Sequence, residues 1–591
     1  MNRSERGLFI TADHRVPEEY HPVDRRTVII CALAIAIAIG AGLMSRILVA
    51  LIGLITNLAY FHRFSLSFSS PSDANIGWFA ILIPVAGAVV VGLMARFGSP
   101  AIRGHGIPEV MEKVLYGESR IPARVMVLKP ISAAVAIGTG GPFGAEGPII
   151  ATGGAIGSLV GQFVPASSDE RKILLAAGAA AGMSATFGTP VSAVLLAIEL
   201  LLFEYRPRSL IPVALASATA AAVRIAFEGT AAVFAVQPFS QPDGEALAIY
   251  TILGVLIGLM AAGITRFTYA IEDGFERLPV HWMWWPAIGA VVVGLAGYME
   301  PRILGVGYIH IEQILAGDIT GRALLVLVVL KLLAWAFYLG SGTSGGTLAP
   351  LFTIGGGMGA MLGAGVAAFF PSSGVDARVS ALVGMAAIFA GASHALLASV
   401  VFAFETTRQP VTLLPLLAGC TAGYLASLMW NRNSIMTEKL ARRGTEVRTE
   451  YQTDYLAHVS VGLAMSRDVV SLRASEDACE VLQMLNRNHL VPHQGFPVLD
   501  DNGLLIGVVT RRDLMAHHEH GTVGDLIHRP PAVVYSDNTM RDAADVMVRE
   551  GVGRLPVVEH AAPRKVIGIV TRSDLLAAHA PRLAANRRAS Q

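Results

Sequence analysis

One stretch constrains this chain more than any other: GTGGPFGAEGPIIATGGAIGSLVG, Gly138 to Gly161, crowded with glycine inside an apolar segment and carrying a single carboxylate, Glu146. A second stretch, GSGTSGGTLAPLFTIGGGMGAMLG from Gly340 to Gly363, repeats it. With Pro148 set on Pro350, 202 residues on, Gly138, Gly140, Gly144, Gly153, Gly154, Gly157 and Gly161 all fall on glycines. Two copies of one element imply a membrane protein built from two related halves. Each copy reads as a loop that opens a helix. Pro148 and Pro350 suit a first helical turn, where a missing N–H costs nothing. The glycines before them let the backbone turn sharply and approach a ligand closely. A helix N-terminus presents free N–H groups and partial positive charge. Irregular backbone at membrane depth is tolerated only where it is buried or lines a cavity. Two such breaks, one per half, imply an anion site between them. The competing reading, that these glycines only allow close helix packing, leaves the paired prolines and Glu146 without a reason.

Hydrophobic residues make up 53% of the 591 and charged residues 15%, with mean hydropathy +0.55, the profile of a polytopic membrane protein whose first partner is the lipid bilayer. A net charge of +1 argues against nucleic acid as a partner. Cys31, Cys420 and Cys479 are far apart and form no metal or disulfide pattern, so no metal site and no required cofactor are expected. Residues 1–26 are polar, lack the apolar core of a signal peptide and read as a cytoplasmic segment, because Arg25 and Arg26 directly precede the first apolar run. That run, 27–60, exceeds the roughly 20 residues that span a bilayer, so it is expected to tilt. A second span is expected at 76–97. The following RGHGIPEVMEKVLYGESRIPAR is too polar to face lipid, and its Gly104-His105-Gly106-Ile107-Pro108 again sets glycines and a proline before a short helix. A further repeat block, broken in its first copy at Gly188-Thr189-Pro190, ends at Glu199 and again at Glu405. Gly178 and Gly384, and the two glutamates, share an offset of 206. The halves then run 27–228 and 245–441, joined by the linker Gln237 to Glu245.

Glu146, Glu199 and Glu405 lie in apolar surroundings, where a charge costs about 2.5–3.5 kcal/mol on insertion scales and is a functional candidate by default. Glu199 and Glu405 are repeat mates at helix ends, for which a structural role is at least as good a reading. Glu146 has no mate, since Leu348 takes its place in the second copy. A residue that breaks the repeat at the site is the better functional candidate.

After Arg443 the character changes to a charged, soluble α/β region that also repeats. GFPVLDDNGLLIGVVTRRDLM (Gly495 to Met515) matches RLPVVEHAAPRKVIGIVTRSDLL (Arg554 to Leu576), with Thr510 and Thr571, and Asp513 and Asp574, 61 residues apart. Each copy reads helix, strand, turn, strand, helix. The cluster His517-His518-Glu519-His520 between them reads as a solvated linker. It is not an HExxH, because Thr522 stands where the second histidine is needed.

Residues 27–443 resemble the CLC family of chloride channels and anion–proton exchangers, on three motifs in order: GHGIPEV (Gly104–Val110), GAEGP (Gly144–Pro148) and GGTLAP (Gly345–Pro350). The resemblance implies about eighteen helices, two halves of inverted topology, and one anion pathway in each subunit of a homodimer. It implies that Glu146 is the gate, its carboxylate and the anion being alternative ligands of one N–H cluster. The anion contacts then fall at Gly104, His105, Gly106, Ala145, Glu146, Gly147, Gly346, Thr347, Leu348, Ala349 and Met436, with the backbone amides that hold the anion at Glu146 and Gly147 in half one and at Thr347 and Leu348 in half two. The C-terminal repeat resembles a tandem pair of CBS domains, 459–516 and 521–580, followed by a tail, 581–591. There Thr510, Asp513, Thr571 and Asp574 match positions that contact the ribose of an adenine nucleotide in nucleotide-binding relatives; many other CBS pairs serve only as dimerising or regulatory modules.

The departures from the family pattern carry information. His105 stands where a serine hydroxyl is usual, Ala145 where Lys or Arg is usual, and Met436 where a tyrosine hydroxyl is usual; a thioether donates no hydrogen bond. These changes imply a weaker or less selective central site, unless His105 and Met436 only repack the inner vestibule. Exchangers of the family carry an inner, proton-relaying glutamate that would follow Glu199; here it is Leu200. This favours a voltage- and pH-dependent channel regulated by the CBS pair over a chloride/proton antiporter. Glu204 offers a substitute if it shares a helix face with Leu200 at i, i+4, and His105 offers another proton relay. Chloride is the family default, with nitrate and bromide open and fluoride disfavoured by Pro148. An enzyme is not expected, since no membrane HExxH and no Ser–His pairing are present. A CBS-regulated divalent-cation transporter would need several carboxylate ligands, and the broken elements hold one acid between them. The absence of organellar targeting suits a bacterial inner membrane, with the CBS region cytoplasmic.

Overall fold

The structure, a computed structural model, describes residues 25–74, 77–444, 456, 459–487, 494–516, 521–560 and 562–578. Most of the N-terminal segment, the histidine cluster at 517–520 and the tail lie outside these. The chain divides between Glu450 and Tyr451 into two units.

The first half of the membrane unit comprises α1 (Arg25–Phe61), α2 (Phe79–Leu93), α3 (Ile107–Tyr116), α4 (Ala123–Gly138), α5 (Glu146–Phe163), α6 (Ser168–Phe187), α7 (Pro190–Ala197) and α8 (Pro207–Glu228). The second half repeats the order: α9 (Gly244–Glu276), α10 (Trp285–Met299), α11 (Tyr308–Ala316), α12 (Gly321–Gly340), α13 (Leu348–Phe369), α14 (Ala377–Ser393), α15 (Leu396–Thr407) and α16 (Leu413–Trp430). A short α17 (Glu438–Arg442) closes the unit. Among the described residues, eight helices are long and apolar enough to cross a membrane, and others are too short.

Glycine packing accounts for part of the repeat. A Cβ on Gly178 of α6 would meet the Gly153 carbonyl of α5, and the reverse holds for Gly153; Gly355 and Gly384 stand in the same relation on α13 and α14. Backbones this close need residues without side chains. The packing reading therefore holds for this part of the glycine stretch; before Glu146, Gly140 in addition takes φ 103°, which favours glycine.

The two halves also finish each other's helices. Glu405 accepts hydrogen bonds from the Val191 and Ser192 N–H groups at the start of α7, at 3.0 and 2.8 Å. Glu199 accepts from Leu397 and Ala398 at the start of α15, at 2.9 and 3.1 Å. A carboxylate on an open helix N-terminus satisfies orphan donors and complements the helix dipole. Geometry gives these two glutamates a structural task, which explains why they occur as a pair.

The second unit holds two three-stranded sheets in the orders β1-β2-β3 and β4-β5-β6. The first copy contains β1 (Leu472–Arg473), α19 (Ala478–Arg487), β2 (Gly495–Leu499), β3 (Leu505–Thr510) and α20 (Arg511–Ala516), after a leading turn α18 (Val461–Ala464). The second contains β4 (Val534–Tyr535), α21 (Met540–Arg549), β5 (Arg554–Glu559), β6 (Ala562–Thr571) and α22 (Arg572–Ala577). The helix–strand–turn–strand–helix order is present, and a two-residue parallel strand precedes it in each copy. Two residues are too few to show a period.

Candidate anion site

Three loops meet in the middle of the membrane unit. The Gly104 N–H donates to the Thr343 carbonyl at 3.0 Å, and the Gly346 N–H to the Gly144 carbonyl at 3.0 Å, so loops of one half are bridged to loops of the other. Gly104 and Gly106 have φ of 85° and 96°, a conformation that favours glycine, and Gly305 and Gly307 repeat it at 69° and 78°. GHGI before α3 and GVGY before α11 are therefore a third repeat pair. Two buried lysines, Lys129 on α4 and Lys331 on α12, hold these loops. Lys129 Nζ donates to the Ile102 and Gly104 carbonyls at 2.8 and 2.7 Å, and Lys331 Nζ to the Ile303 and Gly305 carbonyls at 2.8 and 3.3 Å. Main-chain oxygens thus satisfy ammonium groups that would be costly to bury bare.

Glu146 is the first residue of α5 and is wholly buried. Its Oε1 accepts the Tyr308 hydroxyl at 2.7 Å. Among the described residues its Oε2 has no partner within hydrogen-bond geometry, and it lies against the backbone of Gly144 and Gly346; a Cβ on Gly346 would stand 2.8 Å from it. The carboxylate therefore sits between the loops of the two halves. Rings close one side: Phe187 meets Tyr308 edge-on at 5.5 Å and Phe402 at 4.9 Å, and Phe352 stacks on Phe402 at 4.8 Å. Tyr308 opens α11, where Ile107 stands in half one. The two loops share only two glycines, too weak a signal to align them, so the sequence does not single out this tyrosine. The offset of 202 between Lys129 and Lys331 was the signal that could have found the lysines.

The remaining expected contacts divide. The ladder of α5 opens with the Ile149 N–H on the Ala145 carbonyl, and that of α13 with the Leu351 N–H on the Thr347 carbonyl. The N–H groups of Glu146 and Gly147, and of Leu348 and Ala349, precede those first rungs and point out of the helix ends; in half two this moves the expected pair from Thr347 and Leu348 to Leu348 and Ala349, because Thr347 is the cap and the helix begins at Leu348. Gly147 packs against the His105 carbonyl, which brings the first motif onto the second. By contrast, the N–H groups of Gly104 and Gly346 are used between loops, and that of Gly106 donates to Glu109 Oε2 at 2.8 Å. Glu109 also lies 3.6 Å from Lys439 of α17. The His105 ring is nearly buried, and the Thr347 hydroxyl is buried; neither His105 Nδ1 nor that hydroxyl has a partner among the described residues. Ala145 is buried in the loop before α5, and Met436 is fully buried, its segment anchored by the Ile435 N–H on the Ala392 carbonyl and the Tyr269 hydroxyl on the Ile435 carbonyl.

A family model, voltage gated chloride channel, matches residues 86–428, more than half of the chain. The chain belongs to the CLC family. CBS domain models match residues 459–519 and 523–580. An H(+)/Cl(-) exchange transporter ClcA of Yersinia pestis bv. Antiqua (strain Angola) is 29% identical over 62% of this chain and 80% of its own. Chloride channel protein CLC-f of Arabidopsis thaliana is 27% identical over 83% of this chain and 72% of its own. In fold, the chain is similar to a slow cyanobacterial Cl-/H+ antiporter, with TM-score 0.64 and 22% identity, covering 71% of this chain and 98% of that one. The protein is thus a multi-pass membrane protein of the CLC fold, a transporter of anions, with a C-terminal CBS pair.

Two further CLC expectations meet the structure here. Leu200 is buried in a π-turn, Ile198–Leu202, that ends α7. Phe203 then turns into the left-handed region at φ 53°, so Glu204 does not continue that helix and does not share a face with Leu200. Glu204 instead accepts the Ser209 hydroxyl at 2.5 Å and lies 3.8 Å from Arg206. In the CBS unit, Asp513 Oδ2 accepts both the N–H and the hydroxyl of Thr510, at 2.8 and 2.7 Å, and Asp574 does the same for Thr571 at 2.7 and 2.8 Å. These Thr–Asp pairs are helix caps. Thr510 and Asp513 nonetheless line a cavity of about 580 Å³ with Arg512, His528, Arg529 and Arg554. Thr571 lines a second, of about 250 Å³, with Asp468 and Gln494.

Proposed function

We propose that this protein is a chloride-conducting CLC channel gated by Glu146. The observation that carries the reading is the Glu146 carboxylate, buried between two opposed helix starts and held by Tyr308. In that position it occupies the place an anion would take; protonation or competition by an anion releases it. Anions pass on the N–H groups of Glu146, Gly147, Leu348 and Ala349, with His105, Thr347 and Met436 lining the way. Leu200 supplies no proton carrier at the inner end, and Glu204 faces away into its own loop contacts. The subunit works as a homodimer in a bacterial inner membrane with the N-terminus and CBS pair cytoplasmic. The basic cavity at Thr510 and Asp513 suits an adenine nucleotide, through which the CBS pair regulates opening.

The alternative is a chloride/proton antiporter, favoured by the similarity to an exchange transporter and by His105 as a buried imidazole in the first motif. The deciding measurement is the reversal potential of purified protein in a bilayer under a fixed chloride gradient, with and without a proton gradient. A channel holds the chloride value at every pH. A potential that moves with the proton gradient overturns the channel reading. Deleting residues 445–591 is expected to leave chloride flux intact; loss of flux from a folded truncation would place the CBS pair in the pathway.

A further inference from the structure

We propose that a pocket where α9, α16 and α17 meet binds the phosphate of an anionic phospholipid and couples it to the central anion site. The coupling half of this inference rests on the transport reading above; the binding half does not.

The pocket has a volume of about 400 Å³, within the range of small-molecule sites, and its lining includes Arg266, Tyr269, Trp430, Arg432, Glu438 and Arg442. Asp273 lines it as well. Both carboxylates engage the same arginine: Arg442 pairs with Asp273, and with Glu438 at 3.1 Å, over the Tyr269 ring. Arg266 is fixed differently. Its Nε donates to Asn431 Oδ1 at 2.8 Å and its Nη2 to the Trp430 carbonyl at 2.7 Å, with the guanidinium 5.4 Å from the Trp430 ring. Those partners are neutral, so they orient the fork without cancelling its charge. A planar, pre-oriented guanidinium is suited to a phosphate.

What surrounds the pocket selects a lipid. α9 and α16 are both membrane-crossing candidates, and Trp430 ends the second, a residue type that collects at the membrane interface. Leu425 and Met429 on α16, and Met260 and Phe267 on α9, are exposed apolar side chains on the two helices that lead to the pocket. A basic pocket at the end of an apolar surface has the two-part chemistry of an anionic phospholipid.

The pocket also reaches the pathway. α17 presents Glu438 and Arg442 to it and, between them, Lys439 to Glu109. Glu109 holds the Gly106 N–H, next to His105. Phosphate drawing on Arg442 would shift α17 and, through Lys439 and Glu109, the first loop of the anion site.

The test uses delipidated full-length protein and native mass spectrometry, titrated with phosphatidylglycerol, phosphatidylcholine, glycerol 3-phosphate or inorganic phosphate. Phosphatidylglycerol is expected to bind at one per subunit, at least tenfold tighter than phosphatidylcholine. Arg266→Gln is expected to weaken it about tenfold, and Arg266→Lys to recover only part. Arg432→Gln provides a second probe if Arg266→Gln does not fold. Equal binding of the two lipids, or no loss in either variant, overturns the site. Glycerol 3-phosphate or inorganic phosphate binding as tightly as the lipid would assign the pocket to a soluble phosphate and overturn the lipid. Chloride flux in liposomes with and without phosphatidylglycerol then reads the coupling: it should rise or fall severalfold with the lipid in wild type and stay level in Arg266→Gln. Lipid binding without any change in flux overturns the coupling, while absence of flux in every lipid counts against the transport reading and leaves the binding result standing.

Discussion

Half one and half two of the membrane unit have nearly the same scaffold and different chemistry. Lys129 and Lys331 hold equivalent loops, Gly153–Gly178 and Gly355–Gly384 pack equivalent helices, and Glu199 and Glu405 cap equivalent helix starts. Among the positions where the halves differ, three lie around one point. Glu146 faces Leu348, Tyr308 answers Ile107, and His105 answers Val306. Residues kept in both copies tie the fold together, and in the proposed function the departures at this point are the ones that act on the anion.

The strongest way to break this comparison is Glu146→Ala. It should abolish pH-dependent gating and raise or flatten chloride flux across the pH range. Retained pH dependence in a liposome efflux assay would remove the gate from this residue. Next come the kept glycines. Gly178→Ala and Gly384→Ala each push a Cβ into a facing carbonyl and should cost about 1–3 kcal/mol through overpacking. Both should lower the melting temperature by similar amounts, since the contacts are equivalent; a change in anion selectivity without loss of stability would contradict the division. Tyr308→Phe removes one hydrogen bond to a charged group, an interaction of about 1.5–3 kcal/mol. Flux at neutral pH should rise by about tenfold with unit conductance unchanged, as single-channel or noise recordings would read. The caps come next: Glu199→Gln and Glu405→Gln keep an acceptor and lose the charge at a helix N-terminus, a cost of about 1 kcal/mol each. They should shift thermal unfolding by a few degrees and leave reversal potentials alone. Leu200→Glu is the finest test, because it should introduce a small proton-dependent shift of reversal potential only if the rest of a proton route already exists.

Much of this was legible in the sequence because glycine at a fixed spacing survives where other residues drift. The break before α5, its partner before α13, and the lone acid between them follow from one alignment. Tyr308 was not legible, since its hydrogen bond joins residues 162 positions apart and its loop shares only two glycines with the first motif. Glu204 misled for a local reason: four residues from Leu200 places a side chain on the same face only while the helix continues, and Phe203 ends it. The Thr–Asp strings of the CBS copies read as ligand contacts, yet their hydrogen bonds are first of all those of helix caps, which a sequence motif cannot separate from a ribose site.

The exchanged caps carry a consequence for how the protein is made. When the ribosome finishes the first half, the N–H groups of Val191 and Ser192 still await an acceptor 213 to 214 residues downstream, and Glu199 awaits donors 198 to 199 residues downstream. Half one is therefore an unfinished object in the bilayer until its twin arrives. Each half carries one open helix start and one capping glutamate, so the missing part of either is the spare part of the other.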